Sequence, residues 1–266
     1  MAVITLLTDF GNDDAYAGIM KGVILSTNPA IDIVDLTHNI DPYDRVQAAY
    51  VLDASWRFFP AGTVHVVVVD PGVGSCRAII AVEAAGHVFL APDNGVLSFL
   101  LGGNHVKRVV CVENNHYFLA PVSRTFHGRD IFAPVAARLA GGLDIQKLGP
   151  CIDPGKPVRL DLVRPFIKKS GEMVGTIISV DRFGNLITNI HHRKMDVFCP
   201  SAQGRAMVFS VGSKKIIGLS ESYQRCDAQA PLAIIGSSGY LEISVNGGSA
   251  KQVFGLHKGD FISVTC

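Results

Sequence analysis

The chain has 266 residues, 48% of them hydrophobic, and its 24 Lys and Arg against 23 Asp and Glu give a formal net charge of +1. That length and apolar content suffice for a large core in one or two domains. The near-neutral balance, without a block of like charges, argues against nucleic acid or an anionic membrane surface as partner, and no apolar run approaches the roughly 20 residues needed to cross a bilayer.

The opening MAVITLLTDF lacks a basic n-region and a small-residue cleavage site, and Asp9 interrupts it, so it reads as a first strand rather than a signal peptide. Val3–Thr8 is that strand. A turn through Asp9, Asp13 and Asp14 follows, then a helix over Ala15–Ser26 with Ile19, Val23 and Ile24 at helical spacing and Asp13 or Asp14 able to cap it. Ile31–Leu36 is a second strand and Val46–Phe59 a second helix, stopped by Pro60. The four consecutive valines Val66–Val69 are too apolar for an exposed strand and mark a central one, buried on both faces. It ends at Asp70-Pro71-Gly72, where proline cannot continue a ladder. This βαβαβ order predicts a mostly parallel sheet, whose carboxyl edge is where ligands bind. Arg77 follows a Gly-Val-Gly turn and can fold back on Asp70, either as the heart of a site or as an ion pair that pins the turn.

Ala78–Ala84 and His87–Ala91 read as a hairpin around Ala85-Gly86, Asp93-Asn94-Gly95 as a turn before a short helix, and Val106–Val112 as a further strand. His127 precedes a helix running to Leu139, which Pro134 requires to begin near Asp130 or later. Between Gly149 and Lys169, four prolines and little periodicity mark a linker. Beyond it, helical patterns vanish and seven short strands follow, from Met173–Val180 to Phe261–Thr265, as in a small all-β barrel or sandwich. The expected division is an α/β domain over 1–150, a linker over 151–170 and a β-barrel domain over 171–266.

Several familiar chemistries drop out. Asp9-Phe10-Gly11 matches the kinase magnesium tripeptide by letter but lacks the glycine-rich loop and strand lysine before it. There is no GxxxxGK[ST], no GxGxxG after the first strand and no HExxH. His191 and His192 are adjacent, and in a strand would point to opposite faces, so no metal site is expected. The six cysteines are dispersed without a CxxC pair, as expected of reduced thiols in a cytoplasmic protein.

Four clusters survive. Asp9 can accept both hydroxyls of a ribose. Asp70 pairs with Arg77. His127 lies where a helix N-terminus favours an anion, or simply ties down a loop. Asp181-Arg182-Phe183-Gly184-Asn185 offers an aromatic ring and an amide to a base, or is only a β-turn.

Together these segments resemble the S-adenosylmethionine hydroxide adenosyltransferases, relatives of the fluorinase and chlorinase. The matching stretches are LLTDFGNDD (6–14), DPYD (41–44), VVVDPGVGSCR (67–77), APDNGVLS (91–98), TFHGRDIFAP (125–134), DRFGNLITNI (181–190) and SSGYLEISVN (237–246). The resemblance implies hydrolysis of S-adenosylmethionine to adenosine and methionine without a cofactor. It implies a homotrimer with each site between one subunit's first domain and its neighbour's second. Asp70, Arg77 and His127 fall on the family's hydroxide-handling triad; Asp9 falls on the ribose diol, with Asp14 beside it in the matched stretch, and Tyr43 on the ring that packs on the sugar. Phe183 and Asn185 fall in the adenine pocket, Asp181 at the methionine amino group, and Ser237, Ser238 and Glu242 on the loop and strand that receive the methionine end or adenosine. Asp70 and Gly128 replace a tyrosine and a serine of the fluorinase halide pocket, and in the loop that receives the methionine end or adenosine an arginine used by the fluorinase is Ser238 here. A carboxylate at roughly 4 Å from a halide repels it by several kcal/mol at intermediate dielectric, which disfavours halogenation. The remaining alternative is a nucleoside-binding protein without turnover.

Overall fold

The computed structural model describes residues 2–101, 103, 105–161, 163–200 and 206–266. The chain divides into two compact units, Met1–Asp161 and Leu162–Cys266.

The first unit opens with β1 (Ala2–Thr8), α1 (Tyr16–Thr27), β2 (Ile31–Thr37), α2 (Arg45–Ser55) and β3 (Val64–Val68). The hairpin strands β4 (Ile79–Ala84) and β5 (His87–Pro92) follow, then α3 (Ser98–Leu101), β6 (Val106–Cys111), α4 (Ala133–Ala140) and β7 (Cys151–Ile152). Ala85 and Gly86 both have positive φ, 51° and 82°, the conformation a two-residue hairpin loop demands. The sheet runs β2-β1-β3-β5-β4-β6-β7. Strands β2, β1, β3 and β5 are mutually parallel, whereas β4, β6 and β7 pair antiparallel. The sheet is therefore mixed rather than mostly parallel, because the hairpin reverses the chain after its third strand.

Alternation along β3 explains the valine run. Val66 and Val68 pack with Met20 and Ile24 of α1 and Ala133 and Ala136 of α4, while Val67 and Val69 pack on the other face with Leu52 of α2 and Trp56. Burying each such side chain stabilises by about 1.5–3 kcal/mol. In α1 the buried residues are Ala17, Met20 and Ile24, and Ile19 is exposed. Asp13 and Asp14 do not cap this helix: Ala15 precedes it, no side chain bonds its first turn, and both aspartates sit exposed in the preceding bend.

The stretch expected as a linker is tied down instead. Cys151 and Ile152 pair with β6, and the Val158 and Leu160 amides donate to Asp93 and Ser98 of the first unit. On the far side of the unit boundary, β8 (Phe166–Ile167) pairs with β9 (Met173–Val180).

The second unit continues with β10 (Leu186–His191), α5 (His192–Phe198), β11 (Val208–Val211), β12 (Lys214–Ile217), β13 (Leu219–Ser220), β14 (Pro231–Ile235), β15 (Tyr240–Val245), α6 (Ala250–Phe254) and β16 (Phe261–Thr265). Helices are thus not absent here; α5 and α6 are too short to leave a periodic trace. The sheet runs β12-β11-β16-β9-β10-β15-β14-β13, and β12 comes back beside β14, so it curls almost into a barrel around Ile177, Leu186, Phe209, Leu241 and Val264. Cys199 and Cys266 are disulfide-bonded, with Cα atoms 5.9 Å apart, and so are not the reduced thiols expected. Folding brings the end of α5 against the end of β16, which spacing along the chain does not reveal. Among the described residues no helix is long and apolar enough to cross a membrane.

Candidate active site

The strand order reverses between β1 and β3, since β2 lies on one side of β1 and β3 on the other. That is the switch point at which open α/β sheets hold ligands. Asp9 follows β1 and Asp70 lies just past β3, so two carboxylates face the same crevice. After Asp70 the chain turns back tightly: the Val73 amide donates to the Asp70 carbonyl and the Gly72 amide to Asp70 Oδ1. Gly74 has φ +77° and a Cβ there would overlap the Arg124 carbonyl oxygen, so only glycine lets this turn seat on the loop before His127.

Helical backbone already starts at Gly128, earlier than Pro134 seemed to permit. Gly128–Phe132 forms a π-turn that runs into α4. Pro134 has no N–H for the Asp130 carbonyl, which instead accepts from the Leu119 amide at 2.8 Å. The Asp130 side chain is buried; it accepts from the Ser123 amide and from Arg129 Nε and Nη2. The loop carrying His127 is thereby fastened at both ends.

Asp70, Arg77 and His127 meet. Arg77 Nε donates to both carboxylate oxygens of Asp70, at 3.1 and 2.9 Å, and Arg77 Nη2 lies 2.8 Å from His127 Nδ1. The side chains of Arg77 and Asp70 are only 11% and 5% exposed, so the pair is shielded from solvent. Arginine has no acceptor, so His127 Nδ1 accepts and the neutral ring carries its hydrogen on Nε2. Burial, then the Arg77 charge, holds the His127 pKa below the usual imidazole value, against the opposing pull of Asp70 and Asp130.

Asp9 Oδ2 accepts from the Tyr43 amide at 2.9 Å, and Tyr43 has φ 66°, a left-handed conformation unusual for a bulky residue. Its ring is 68% exposed. Asp9, Tyr43, Asp70 and His127 line one cleft of about 590 Å³, large enough for a nucleoside-sized ligand. Arg77 stands behind Asp70 and is not among the lining residues. One wall is aromatic: Tyr16 and Phe126 meet edge to face at 5.1 Å, with Phe10 against both. Those three rings and Arg129 were missed from the sequence, although Phe10 and Phe126 adjoin Asp9 and His127. Asp14 is exposed and lies outside the lining residues.

The other candidates belong to the second unit. In the turn between β9 and β10, Asp181 Oδ1 accepts from the Phe183 and Asn185 amides and Oδ2 from Asn185 Nδ2. This leaves Asn185 its carbonyl oxygen and the Phe183 ring 77% exposed. Ser237 and Ser238 form the turn between β14 and β15. Glu242 is buried beside Gly236, where any Cβ would overlap its Oε1. Burial, then the Asp181 charge, raises its pKa. His191 and His192 do not diverge: one closes β10 and the other opens α5, and their ring centroids lie 4.2 Å apart with the planes tilted by 36°. Among the described residues no group of His, Cys, Asp and Glu is arranged to hold a metal ion.

An α/β unit with an acid, a guanidinium and an imidazole at its switch point, followed by a curled β unit, defines a class of two-unit enzymes that place a polar triad against a nucleoside-sized cleft. The chain belongs to the S-adenosylmethionine hydroxide adenosyltransferase family: the family's N-terminal domain matches residues 4–149 and its C-terminal domain residues 175–263. It is 34% identical to an (R)-S-adenosyl-L-methionine hydrolase of Thermus thermophilus, over 97% of this chain and 98% of that one. A fluorinase of Actinoplanes matches at 26% identity over 99% and 97%. A crystal structure of an uncharacterised conserved protein from Thermotoga maritima superposes with a TM-score of 0.91, at 35% identity over 99% of this chain and 100% of that one.

Proposed function

We propose that this protein hydrolyses S-adenosylmethionine to adenosine and methionine by in-line attack of water on ribose C5′. The observation that carries the reading is the mutual contact of Asp70, Arg77 and His127 beside the cleft that Asp9 also faces. The R configuration at sulfur in the relative's name makes the R sulfonium the epimer to try first.

The leaving group goes from sulfonium to neutral thioether, so it needs no general acid. The demand falls on the nucleophile, since bulk water has a pKa of about 15.7. With its Nδ1 committed to Arg77, His127 serves as an N–H donor through Nε2 rather than as a base. Asp70 is then the acceptor of the water proton, and Arg77 stabilises the charge that shifts through the pair. As the water oxygen bonds to C5′, the C5′–S bond breaks and its electron pair stays on sulfur. Asp70 passes the proton on to solvent. Asp9, with one oxygen fixed by Tyr43, presents the other to the ribose diol. Phe183 and Asn185 serve the adenine, and Asp181, Ser237, Ser238 and Glu242 serve the methionine end.

No step requires a cofactor. The exposed rings of Tyr43 and Phe183, on different units, support a homotrimer in which a neighbouring copy's second unit completes each cleft. Gly128 argues against halogenation: a Cβ there would lie 3.0 Å from Met20 Sδ and 3.1 Å from Phe126, so a halide-binding serine would displace its neighbours.

The test is to incubate the protein with S-adenosylmethionine and separate the products. Adenosine plus methionine is expected. Asp70→Ala and His127→Ala should each lose adenosine formation, by roughly 10²–10⁴, while still binding adenosine by calorimetry. Wild-type turnover in either variant removes that residue from the mechanism. Binding without products would leave a nucleoside-binding protein, and chloride-dependent 5′-chloro-5′-deoxyadenosine would make it a halogenase.

A further inference from the structure

We infer that Arg129 is a substrate-binding residue that takes the α-carboxylate of the methionine moiety, an inference that rests on the hydrolase reading. S-adenosylmethionine carries one anionic group, and a carboxylate brought into a cleft already lined by Asp9 and Asp70 needs a cation to receive it. Among the described residues lining the cleft, Arg129 is the only Lys or Arg. His127 lines it too, but burial and the Arg77 charge disfavour its protonation.

The guanidinium is aimed rather than loose. Its Nε donates to Asp130 Oδ1 at 2.6 Å and its Nη2 to Asp130 Oδ2 at 3.0 Å, and the group lies over the Phe126 ring, 5.4 Å from its centroid. Asp130 is itself 1% exposed and held by the Ser123 amide, so the support is rigid. Two of Arg129's nitrogens are thus spent on the buried carboxylate, whereas Nη1 has no hydrogen-bond partner among the described residues. The side chain keeps 38% of its surface exposed and lines the cleft. A guanidinium fastened along one edge and open along another suits a planar carboxylate, which it binds through charge-assisted hydrogen bonds. A purely structural ion pair would not need to line the cleft.

The experiment compares substrates with and without the group. Kinetics of wild type, Arg129→Gln and Arg129→Lys are measured on S-adenosylmethionine and on its decarboxylated analogue, with Kd for both compounds and for adenosine by calorimetry. Arg129→Gln should raise KM and Kd for S-adenosylmethionine by about 10- to 100-fold, leave adenosine affinity unchanged, and change the decarboxylated analogue by less than about threefold. Arg129→Lys should recover part of the loss. Equal losses on both substrates, or no loss on either, overturn the carboxylate role. Should the wild type form no adenosine, the hydrolase reading fails. The Kd comparison then still decides: a loss confined to the carboxylated compound upholds the contact, and any other pattern ends it.

Discussion

The two units hold their candidate residues in opposite ways. In the first, Asp70 and Arg77 pair across one tight turn and His127 joins them from 50 residues further along, with the Asp70–Arg77 pair nearly out of reach of solvent. In the second, Asp181 and Asn185 bond within a single turn, and that turn displays Phe183 outward. Bonding across segments fixes the relative placement of reacting groups, which chemistry needs. Bonding within a turn fixes only the shape of a surface, which is enough for recognition. The titrating groups differ as well. The first unit buries imidazoles that stay neutral; the second buries a carboxylate, Glu242, that resists ionising.

The sharpest way to break this contrast is Arg77→Ala. It should lower kcat by about 10³ and, by removing the positive charge beside His127, raise the pKa of that imidazole, as an NMR titration would read. A kcat within tenfold of wild type would show that the triad is only architectural.

Next in size is an acid effect on the first unit. His65 bonds Thr5 and His87 in the core, and burial, with His87 next, lowers its pKa to about 3. The unfolded chain takes that proton near pH 6.5 and the folded one does not. Stability is therefore full above pH 6.5 and is lost as pH falls from there towards 3, by several kcal/mol. Hydrogen exchange in β1, β3 and β5 should report it, and unchanged protection down to pH 4 would contradict it.

A smaller effect is expected of Phe183→Ala, which should raise KM about tenfold by losing a stacking surface and leave kcat unaltered. A fall in kcat instead would erase the distinction between the units. Smallest is Glu242→Gln. Because the folded pKa is raised, the stability this group confers is full while it is protonated and is lost as pH rises through that value. The amide should raise the Tm by a few degrees at pH 8, with exchange slowed in β14 and β15; a lower Tm would mean the carboxylate is stabilising.

What the sequence disclosed follows the range of the interactions involved. Four valines in a row declare a strand buried on both faces, and Asp70 and Arg77 are close enough along the chain for their pairing to be considered. His127 is 50 residues beyond Arg77, and only resemblance joined them. Asp14 was placed beside Asp9 at the substrate, yet a strand end aims one carboxylate while the bend beyond it leaves the other in solvent. The adjacent histidines were misread because a strand stops between them, and α5 and α6 are shorter than the pattern that would announce them. Arg129 was hidden for another reason: its orientation is set by Asp130, a buried acid whose own placement depends on the Ser123 amide seven residues upstream.

Pro134 reaches into the chemistry without touching it. The wide turn before it holds one residue more than an α-turn, and each added residue rotates what lies upstream by about 100° around the helix axis. His127 and Arg129 therefore leave their helix at an angular phase set by an imino acid buried in α4's first turn. Closing the Asp130–Pro134 gap with an ordinary amide donor would allow a straight helix, and with it a different direction for the loop that carries His127.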